Sequence, residues 1–318
     1  MYCSSQSVKK HGKGRLGLQR YYCSACNQTF QSRQRVKHGP VTPAQIWYEY
    51  VWGKQTIAQL VTKYGKSQKW IQQQFDRHSV TLNNPFPYKP QPITLAVDFC
   101  HLDETYGVLV FRATDLKVNL CWLFAPTERV NDYVRGVRFL QRKGWIILSL
   151  TVDGKQGVKE QFRDIPLQLC QWHQQENICR YTTRKPNLPA NQELLHLTLQ
   201  LTNLTKDDFT QRLTNWKVTW NTFLKEKTHN PVTGKWQYTH RRTRSALRSY
   251  ERTLPYLFTY QQYSKPHIPN TTNSLEGTFS QLQVKLQCHR GIRGERKKKL
   301  IRELLIGQKL QRATHFSL

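Results

Sequence analysis

Two apolar stretches that end in aspartate decide the fold of this chain: Ile93-Thr-Leu-Ala-Val-Asp98 and Trp145-Ile-Ile-Leu-Ser-Leu-Thr-Val-Asp153. β-Branched and large apolar residues dominate both, which is typical of buried β-strands. Similar runs at residues 107–113 and 118–124 follow the first stretch after short polar turns. The first three runs predict an antiparallel meander, and each quoted stretch places a carboxylate near the end of a strand.

The order of the remaining elements predicts an α/β domain. Apolar residues recur at helical spacing in residues 128–143, just before the strand at 145–152. The later patterns predict a helix at 155–162, a short strand at 167–170, a helix at 172–181, a helix from Asn273 to about Leu286 and a last helix within 288–318. Three strands, helix, strand, helix, strand, helix is the order of a ribonuclease-H-like domain. We expect that domain to span residues 93–318, with an all-α insertion at about 181–262.

Three carboxylates are the candidate catalytic and metal-binding residues. The first and fourth strands of a ribonuclease-H-like sheet are parallel neighbours, so Asp98 and Asp153 should emerge side by side. Glu276 follows in the first turn of a predicted helix, where an Asn273 capping box also explains it. Three hard oxygen ligands suit two Mg²⁺ or Mn²⁺ ions, which catalyse phosphoryl transfer. Asp103 is the main alternative to Asp98.

The charge of the chain is strongly positive and unevenly spread. Its 318 residues include 49 Lys+Arg and 20 Asp+Glu, a formal net charge of +29. Residues 1–90 carry 14 basic and 2 acidic side chains, residues 91–180 carry 11 and 10, and residues 181–318 carry 24 and 8. This balance predicts a polyanionic partner, and nucleic acid is favoured over a membrane surface because no lipidation signal or amphipathic anchor accompanies it.

Other classes of protein are excluded by composition. A hydrophobic content of 38% is too high for a disordered basic tail. No apolar window approaches the length of a membrane span, and we expect no secretory leader. The eight cysteines are sparse and show no disulfide framework, which favours a reducing cytosol.

Residues 1–38 have the pattern of a small zinc ribbon. Cys23-Ser-Ala-Cys26 is a CxxC knuckle between two short predicted strands, and Cys3 is the available ligand from a first knuckle. A structural zinc site needs four ligands, so three alternatives stay open. The ribbon lacks metal, the site is completed by His11 or a partner chain, or the protein starts upstream of Met1.

Residues 41–82 predict a helix-turn-helix. An apolar stripe from Ile57 to Tyr64 marks one helix, Gly65 ends it in a tight turn, and Ser67 caps the next. The second helix carries side chains of the types that reach bases and phosphates from a recognition helix: Gln68, Lys69, Gln72, Gln73 and Arg77. An ordinary helical hairpin is the alternative. A Pro-rich segment at 83–92 predicts a linker to the next domain.

Basic clusters in the C-terminal half are predicted phosphate contacts, with a solvated basic face as the alternative. They contain Arg241, Arg242, Arg244, Arg290, Arg293, Lys297 and Lys298. Four tryptophans are candidates to stack on an unpaired base, although the core is the commoner place for them: Trp172, Trp216, Trp220 and Trp236.

The segment Cys170-Gln-Trp-His173 lies shortly after Asp153. This spacing is also that of half a zinc site, but no second pair lies nearby in the sequence. We interpret Cys170 as a small buried residue and His173 as a side chain that shapes the active site.

Together these features resemble Mutator-like bacterial insertion-sequence transposases of the DDE type. The most specific part is the combination of Asp153, Cys170-x-x-His173 and Thr-Thr-Asn273-Ser-Leu-Glu276-Gly, and the ribbon and helix-turn-helix are similar to those of many such enzymes. The resemblance implies that Asp98, Asp153 and Glu276 form the metal-binding triad. It also implies an enzyme that cuts and rejoins double-stranded DNA at the ends of its own element, in a prokaryotic cytoplasm.

Two alternatives share the same sequence features. A structure-specific nuclease or resolvase on the same fold would cut without joining strands. A DNA-binding regulator would use the ribbon and helix-turn-helix beside an inactive catalytic domain, although decay is expected to erode the carboxylates. For a transposase we expect a homodimer or a higher oligomer, because two DNA ends must be held together.

Overall fold

The computed structural model describes Cys3 and residues 5–14, 19–31, 41–79 and 89–307. Contacts divide the chain into two compact units, Met1–Tyr50 with Ile57–His78 and Val51–Thr56 with Ser79–Leu318. Residues 83–88 of the predicted linker and the last eleven residues lie outside the described ranges. Within those ranges, no helix combines the length and the apolar character needed to cross a membrane.

The smaller unit begins with three antiparallel strands in the order β1-β2-β3. They are β1 (Val8–Lys13), β2 (Gln19–Cys23) and β3 (Gln28–Gln31). The turn at 24–27 joins β2 to β3, and Asn27 adopts a positive φ of 55° there, which Asn tolerates well. Cys23 is buried, whereas the other side chains of these strands are half-buried or exposed. A sheet with so little buried apolar surface needs another source of stability.

Three helices complete this unit: α1 (Pro43–Val51), α2 (Ile57–Tyr64) and α3 (Gln68–Arg77). Phe75 of α3 packs on Trp47 and Tyr50, with ring centroids 5.3 and 4.5 Å apart. Gly65 has a φ of 60°, and the Ser67 side chain accepts a hydrogen bond from the Trp70 N–H. The predicted turn and cap between the two helices are therefore confirmed.

The larger unit is built on a five-stranded mixed sheet with the strand order β6-β5-β4-β7-β8. Its strands are β4 (Pro92–His101), β5 (Gly107–Ala113), β6 (Val118–Ala125), β7 (Ile146–Val152) and β8 (Leu167–Leu169). The first three form an antiparallel meander, and β4 pairs with β7 in parallel. The predicted meander and the predicted parallel neighbours are both confirmed.

Helices cover both faces of this sheet. They are α4 (Val130–Arg142), α5 (Val158–Gln161), α6 (Gln171–Thr182), α11 (Asn273–Cys288) and α12 (Gly294–Ile306). Leu95 and Val97 of β4 join a core with Tyr133 of α4. The alternate residue Ala96 joins a second core with Leu275 of α11 on the opposite face. Both faces are buried, so β4 is a continuous apolar run, as expected for a central strand.

The segment between α6 and α11 is mainly helical but contains a β-hairpin. Its helices are α7 (Pro189–Leu199), α8 (Lys206–Thr219), α9 (Asn221–Lys225), α10 (Arg241–Leu257) and a short 3₁₀ helix (Thr259–Gln262). Strands β9 (Lys227–His229) and β10 (Trp236–Tyr238) pair in an antiparallel hairpin. The expectation of an all-α insertion is wrong at this point, because Asn230 accepts hydrogen bonds from the Val232 and Thr233 N–H groups and closes a turn.

Gly136 lets α4 approach the sheet closely. A Cβ added there would lie 2.0 Å from Cζ of the buried Phe111 ring on β5. A side chain at this position would therefore force the helix away from the sheet.

We expect Gly136→Ala to lower the free energy of unfolding by about 1–3 kcal/mol, the usual cost of overpacking a core. Chemical denaturation measures it. Gly277→Ala is the matched control, because a Cβ on this exposed residue of α11 meets nothing within 4 Å. The control should be neutral or slightly stabilising. If Gly136→Ala and Gly277→Ala changed the free energy of unfolding equally, the close approach of α4 to the sheet at Gly136 would be contradicted.

Candidate active site

Asp98 and Asp153 follow equivalent positions on two neighbouring parallel strands. The pairing of β4 with β7 ends at Val97 and Val152, and Asp98 and Asp153 are the residues that follow them in the sequence. Side chains alternate along a strand, so Asp98 shares the face of Ala96 and Cys100, on which α11 packs. The structure brings the two predicted carboxylates to the same end of the sheet.

The Asp98 carboxylate is buried, with 3% of the residue exposed. Its Oδ1 accepts a hydrogen bond of 2.8 Å from the Phe99 N–H, and the Thr272 hydroxyl lies 3.3 Å from its Oδ2. Burial, followed by the nearby charges of Asp153 and Glu276, raises the pKa of Asp98 to about 8. The ionised form of Asp98 is thus costly in this site, and a bound cation would stabilise it.

Asp153 lies in a turn that follows β7. Gly154 has a φ of 100°, a conformation that favours glycine, and the chain then folds back so that the Lys155 N–H donates to Asp153 Oδ1 at 3.0 Å. The Tyr133 hydroxyl lies 3.5 Å from the same oxygen and donates to Glu128 Oε1 at 2.6 Å. Burial and the Asp153 charge raise the pKa of Glu128. Glu128 is an additional carboxylate that the sequence pattern did not reveal.

Glu276 lies in the first turn of α11 and faces His173. Its Oε1 is 3.5 Å from His173 Nε2. Possible ligand atoms of Asp98, His173 and Glu276 all lie within 4.8 Å of one another, and among the described residues this group does not include Asp153. The structure therefore brings Asp98 and Glu276 together as predicted. The third side chain of this group is His173, whereas the prediction placed Asp153 there. Burial lowers the pKa of His173, which keeps the imidazole neutral and available as a ligand.

The predicted Asn273 cap is wrong, because α11 begins at Asn273 and Thr272 is its N-cap. The Thr272 side chain does not cap the helix, since it is engaged in the site. Its hydroxyl lies 3.3 Å from Asp98 Oδ2, 3.4 Å from Cys170 Sγ and 3.4 Å from His173 Nδ1. Without an Asn273 cap, the capping-box explanation of Glu276 no longer applies.

Cys170 is a small buried residue, as predicted, and it fixes the start of α11. Its Sγ accepts a hydrogen bond of 3.3 Å from the Thr272 N–H. Burial raises the pKa of the Cys170 thiol, so it stays protonated and is a poor metal ligand. Thr272 links Cys170, His173 and Asp98. It lies in the Thr-Thr-Asn273-Ser-Leu-Glu276-Gly stretch, but no role of its own was predicted for it from the sequence.

A short network attaches the segment before α11 to the end of the sheet. The Thr151 hydroxyl of β7 donates to the Pro269 carbonyl at 3.0 Å. The Gln171 N–H donates to the Asn270 carbonyl at 2.9 Å, and the Asn270 side chain donates back to Gln171 Oε1 at 3.0 Å. These bonds hold the segment across the strand that carries Asp153, which positions Glu276.

Asp103, the alternative to Asp98, has a structural role. Its Oδ2 accepts an ion-paired hydrogen bond of 2.7 Å from Lys297, and its Oδ1 accepts from the Thr105 N–H and hydroxyl. The Lys297 pair and the Thr105 bonds hold the pKa of Asp103 well below its usual range. The carboxylate is thus already compensated, and it closes the turn between β4 and β5.

A cleft of about 270 Å³ opens beside Asp153 and His173. Its lining includes four cationic side chains: Lys155, Lys159, Arg180 and Arg252. Its floor is polar, since Ser249 Oγ accepts hydrogen bonds from Gln174 and Asn177 at 3.2 and 2.9 Å. Cationic and polar side chains of these types are suited to bind phosphate groups next to the carboxylates.

The three N-terminal cysteines also lie together. Cys3 Sγ is 3.6 Å from Cys23 Sγ, and the sulfurs of Cys3, Cys23 and Cys26 lie within 4.8 Å of one another. Hydrogen bonds from the Cys26 and Ala25 N–H groups lower the pKa of Cys23 to about 7. His11 is not part of this group. Three thiols in this arrangement fit three positions of a tetrahedral zinc site.

The side chains predicted to contact DNA differ in their exposure and in whether they have partners within the protein. On α3, Gln68, Lys69, Gln73 and Arg77 are exposed and Gln72 is half-buried. Arg290 and Arg293 are exposed. The other basic residues have internal partners: Arg241 with Gln237, Arg242 with the Arg180 carbonyl, Arg244 with the Leu224 carbonyl, Lys297 with Asp103 and Lys298 with Glu295.

No protein-family model matches this chain, and neither does any curated protein. Its function is therefore inferred from the chemistry of the residues described above.

We expect Mn²⁺ to bind more tightly as the pH rises from about 6 toward about 8, because the metal must displace a proton from Asp98. Isothermal titration calorimetry in two buffers of different ionisation enthalpy should show about one proton released at pH 7. Asp98→Asn should weaken binding by about tenfold or more and remove the pH dependence, since the loss of even an outer-shell partner costs about 10- to 100-fold. Asp103→Asn is the control and should change neither. Wild-type affinity that stays constant over this range would contradict the assignment.

We expect the cysteine cluster to bind one Zn²⁺ or Co²⁺ per chain. Co²⁺ bound by thiolates absorbs in the near ultraviolet, so Cys23→Ser should lose much of that band because one of three clustered thiolates is removed. Cys121→Ser, a change in a half-buried cysteine of β6, is the control. The assignment fails if both variants keep the band of the wild type.

Proposed function

We propose that this protein is a DNA transposase of the DDE type, which cleaves DNA and joins strands by metal-dependent phosphoryl transfer in a ribonuclease-H-like domain. The observation that carries the proposal is the meeting of Asp98 with Glu276, with Asp153 at the matching position on the next parallel strand. An antiparallel meander followed by two parallel strands supports the ribonuclease-H-like fold.

The residues fit a divalent metal because the site is rich in uncompensated carboxylate. Asp98, Glu276 and the His173 imidazole would hold the ion. Asp153, at the matching position on the next parallel strand, would be a further ligand. Two Mg²⁺ or Mn²⁺ ions, when bound, supply Lewis-acid stabilisation and a nucleophile at neutral pH. His173 favours Mn²⁺ slightly, since imidazole suits transition metals better than Mg²⁺.

The protein's own groups position the substrate and the carboxylates. Thr272 and Cys170 hold the start of α11 against Asp98, which keeps Glu276 in place. Lys155, Lys159, Arg180 and Arg252 line the adjacent cleft and would bind the phosphates that flank the scissile bond. These cations bind DNA by charge, so the cleft itself would tolerate many sequences.

Recognition of particular DNA ends is assigned to the smaller unit. The exposed Gln68, Lys69, Gln73 and Arg77 of α3 are suited to reach bases and phosphates of double-stranded DNA in a major groove. A zinc ion on Cys3, Cys23 and Cys26 would stabilise the neighbouring three-stranded sheet. Synapsis of two ends requires at least a homodimer.

The test is cleavage and strand transfer with Mg²⁺ or Mn²⁺ on DNA that carries the ends flanking this gene. Asp98→Asn, Asp153→Asn and Glu276→Gln should each lower the rate about 100-fold or more, because each removes a carboxylate from the site. Asp103→Asn is the matched control, since that carboxylate closes a turn and pairs with Lys297. Gel electrophoresis of labelled DNA separates the cleaved and joined products.

Each outcome has a definite meaning. Full activity in any one of the three variants would remove that residue from the proposed triad. Metal-dependent cleavage without a joined product would indicate a nuclease or resolvase. DNA binding with no cleavage in either metal would indicate a regulator.

A further inference from the structure

The hairpin of β9 and β10 stands apart from the core of the larger unit. Residues 225–229, 231–236 and 238–239 are exposed along both strands and the turn. Such short strands are weak by themselves, so the hairpin must be held at its base.

Contacts with α9 and the start of α10 hold that base. The Arg244 guanidinium stacks on the Tyr238 ring at 3.5 Å and donates to the Leu224 carbonyl at 2.6 Å. The His240 ring stacks on Phe223 with centroids 3.5 Å apart and contacts Glu226 at 2.7 Å. The hairpin is thus a supported element, and its outer residues can present a binding surface.

The surroundings of the hairpin are strongly basic. Residues 217–252 contain nine Lys or Arg and two acidic residues. Both acids are already paired, Glu226 with His240 and Glu251 with Lys217. A cleft of about 350 Å³ at the foot of the hairpin is lined by Gln237, Tyr238, Arg241, Arg244, Ser245 and Arg248. Each of these arginines donates one hydrogen bond to an internal partner, and a guanidinium has five N–H donors, so the remaining N–H groups are suited to a phosphate.

The outer part of the hairpin adds an exposed aromatic ring to this basic surface. Trp236 is 67% exposed, and Val232 in the turn is 92% exposed. The His229 ring packs against Trp236 with centroids 5.3 Å apart, which limits the orientations of the indole. Trp216, in contrast, is buried and donates to the Ala190 carbonyl. Trp236 is therefore not explained by the core.

We infer that the hairpin binds single-stranded DNA. A phosphate would enter the cleft lined by Arg241, Arg244 and Arg248, and a neighbouring base would stack on Trp236. The indole can stack in this way only on an unpaired base, which selects a single strand over a duplex. This inference rests on the proposed function for its biological context, because cleavage and joining expose unpaired DNA, but the binding itself needs no metal and no catalysis.

The experiment measures binding of the full-length protein to a fluorescent oligothymidine and to a duplex of equal length, in EDTA. Trp236→Ala should weaken binding to the single strand by about 5- to 140-fold, because stacking contributes about 1–3 kcal/mol per base. Trp236→Phe should restore most of the affinity. In a plot of the logarithm of the association constant against the logarithm of the salt concentration, Arg248→Gln should make the negative slope shallower by about 0.7, because one phosphate contact is lost.

Leu199→Ala, which truncates an exposed apolar residue at the end of α7, is the matched control and should bind like the wild type. Single-strand affinity of Trp236→Ala within twofold of the wild type would overturn the inference, as would an equal loss on the duplex. Because EDTA prevents turnover, this result is independent of the catalytic test with Asp98, Asp153 and Glu276. If the hairpin does not bind single-stranded DNA, the proposed phosphoryl transfer still stands. If the catalytic test fails, the binding of single-stranded DNA by the hairpin still stands.

Discussion

The parallel pairing of β4 with β7 is the interaction on which the rest of the larger unit depends. Its register ends at Val97 and Val152, so two aspartates leave the sheet at matching positions. Asp98 is then buried beside other carboxylates, and the cost of burying like charges appears as a raised pKa of about 8. A divalent cation bound there would lower the free-energy cost of ionising Asp98. Because the unfolded chain lacks this site, such binding would also raise the free energy of unfolding.

Glu276 reaches the same place through a different kind of constraint. It lies far from Asp98 and Asp153 in sequence, and no strand carries it. Instead, hydrogen bonds from Thr151 and Gln171 attach the segment before α11 to the sheet. Thr272 then joins α11 to Asp98 and Cys170. The geometry of the site therefore depends on these hydrogen bonds outside the strands as much as on the sheet.

This difference explains which features could be predicted from the sequence. The strands, their meander and the positions of Asp98 and Asp153 follow from local apolar patterns and from the parallel rule, and the structure confirms these expectations. Thr272 lies in the Thr-Thr-Asn273-Ser-Leu-Glu276-Gly stretch, but its contact with Asp98, like the contact of Glu128 with Tyr133, forms only on folding and leaves no local apolar pattern. The β9–β10 hairpin was missed for another reason, since strands of three residues are too short to show a period.

The net charge of +29 has a clearer meaning once the site is known. If the basic residues served to neutralise the carboxylates of the site, the pKa of Asp98 would be low, as it is for Asp103 beside Lys297. It is raised instead, first by burial and then by the charges of Asp153 and Glu276. Basic side chains line the cleft beside Asp153 and the cleft at the foot of the hairpin. Under the proposed function, these cations would bind the phosphates of DNA beside carboxylates that a divalent metal would ionise, and an arginine placed among those carboxylates would compete with the metal for them.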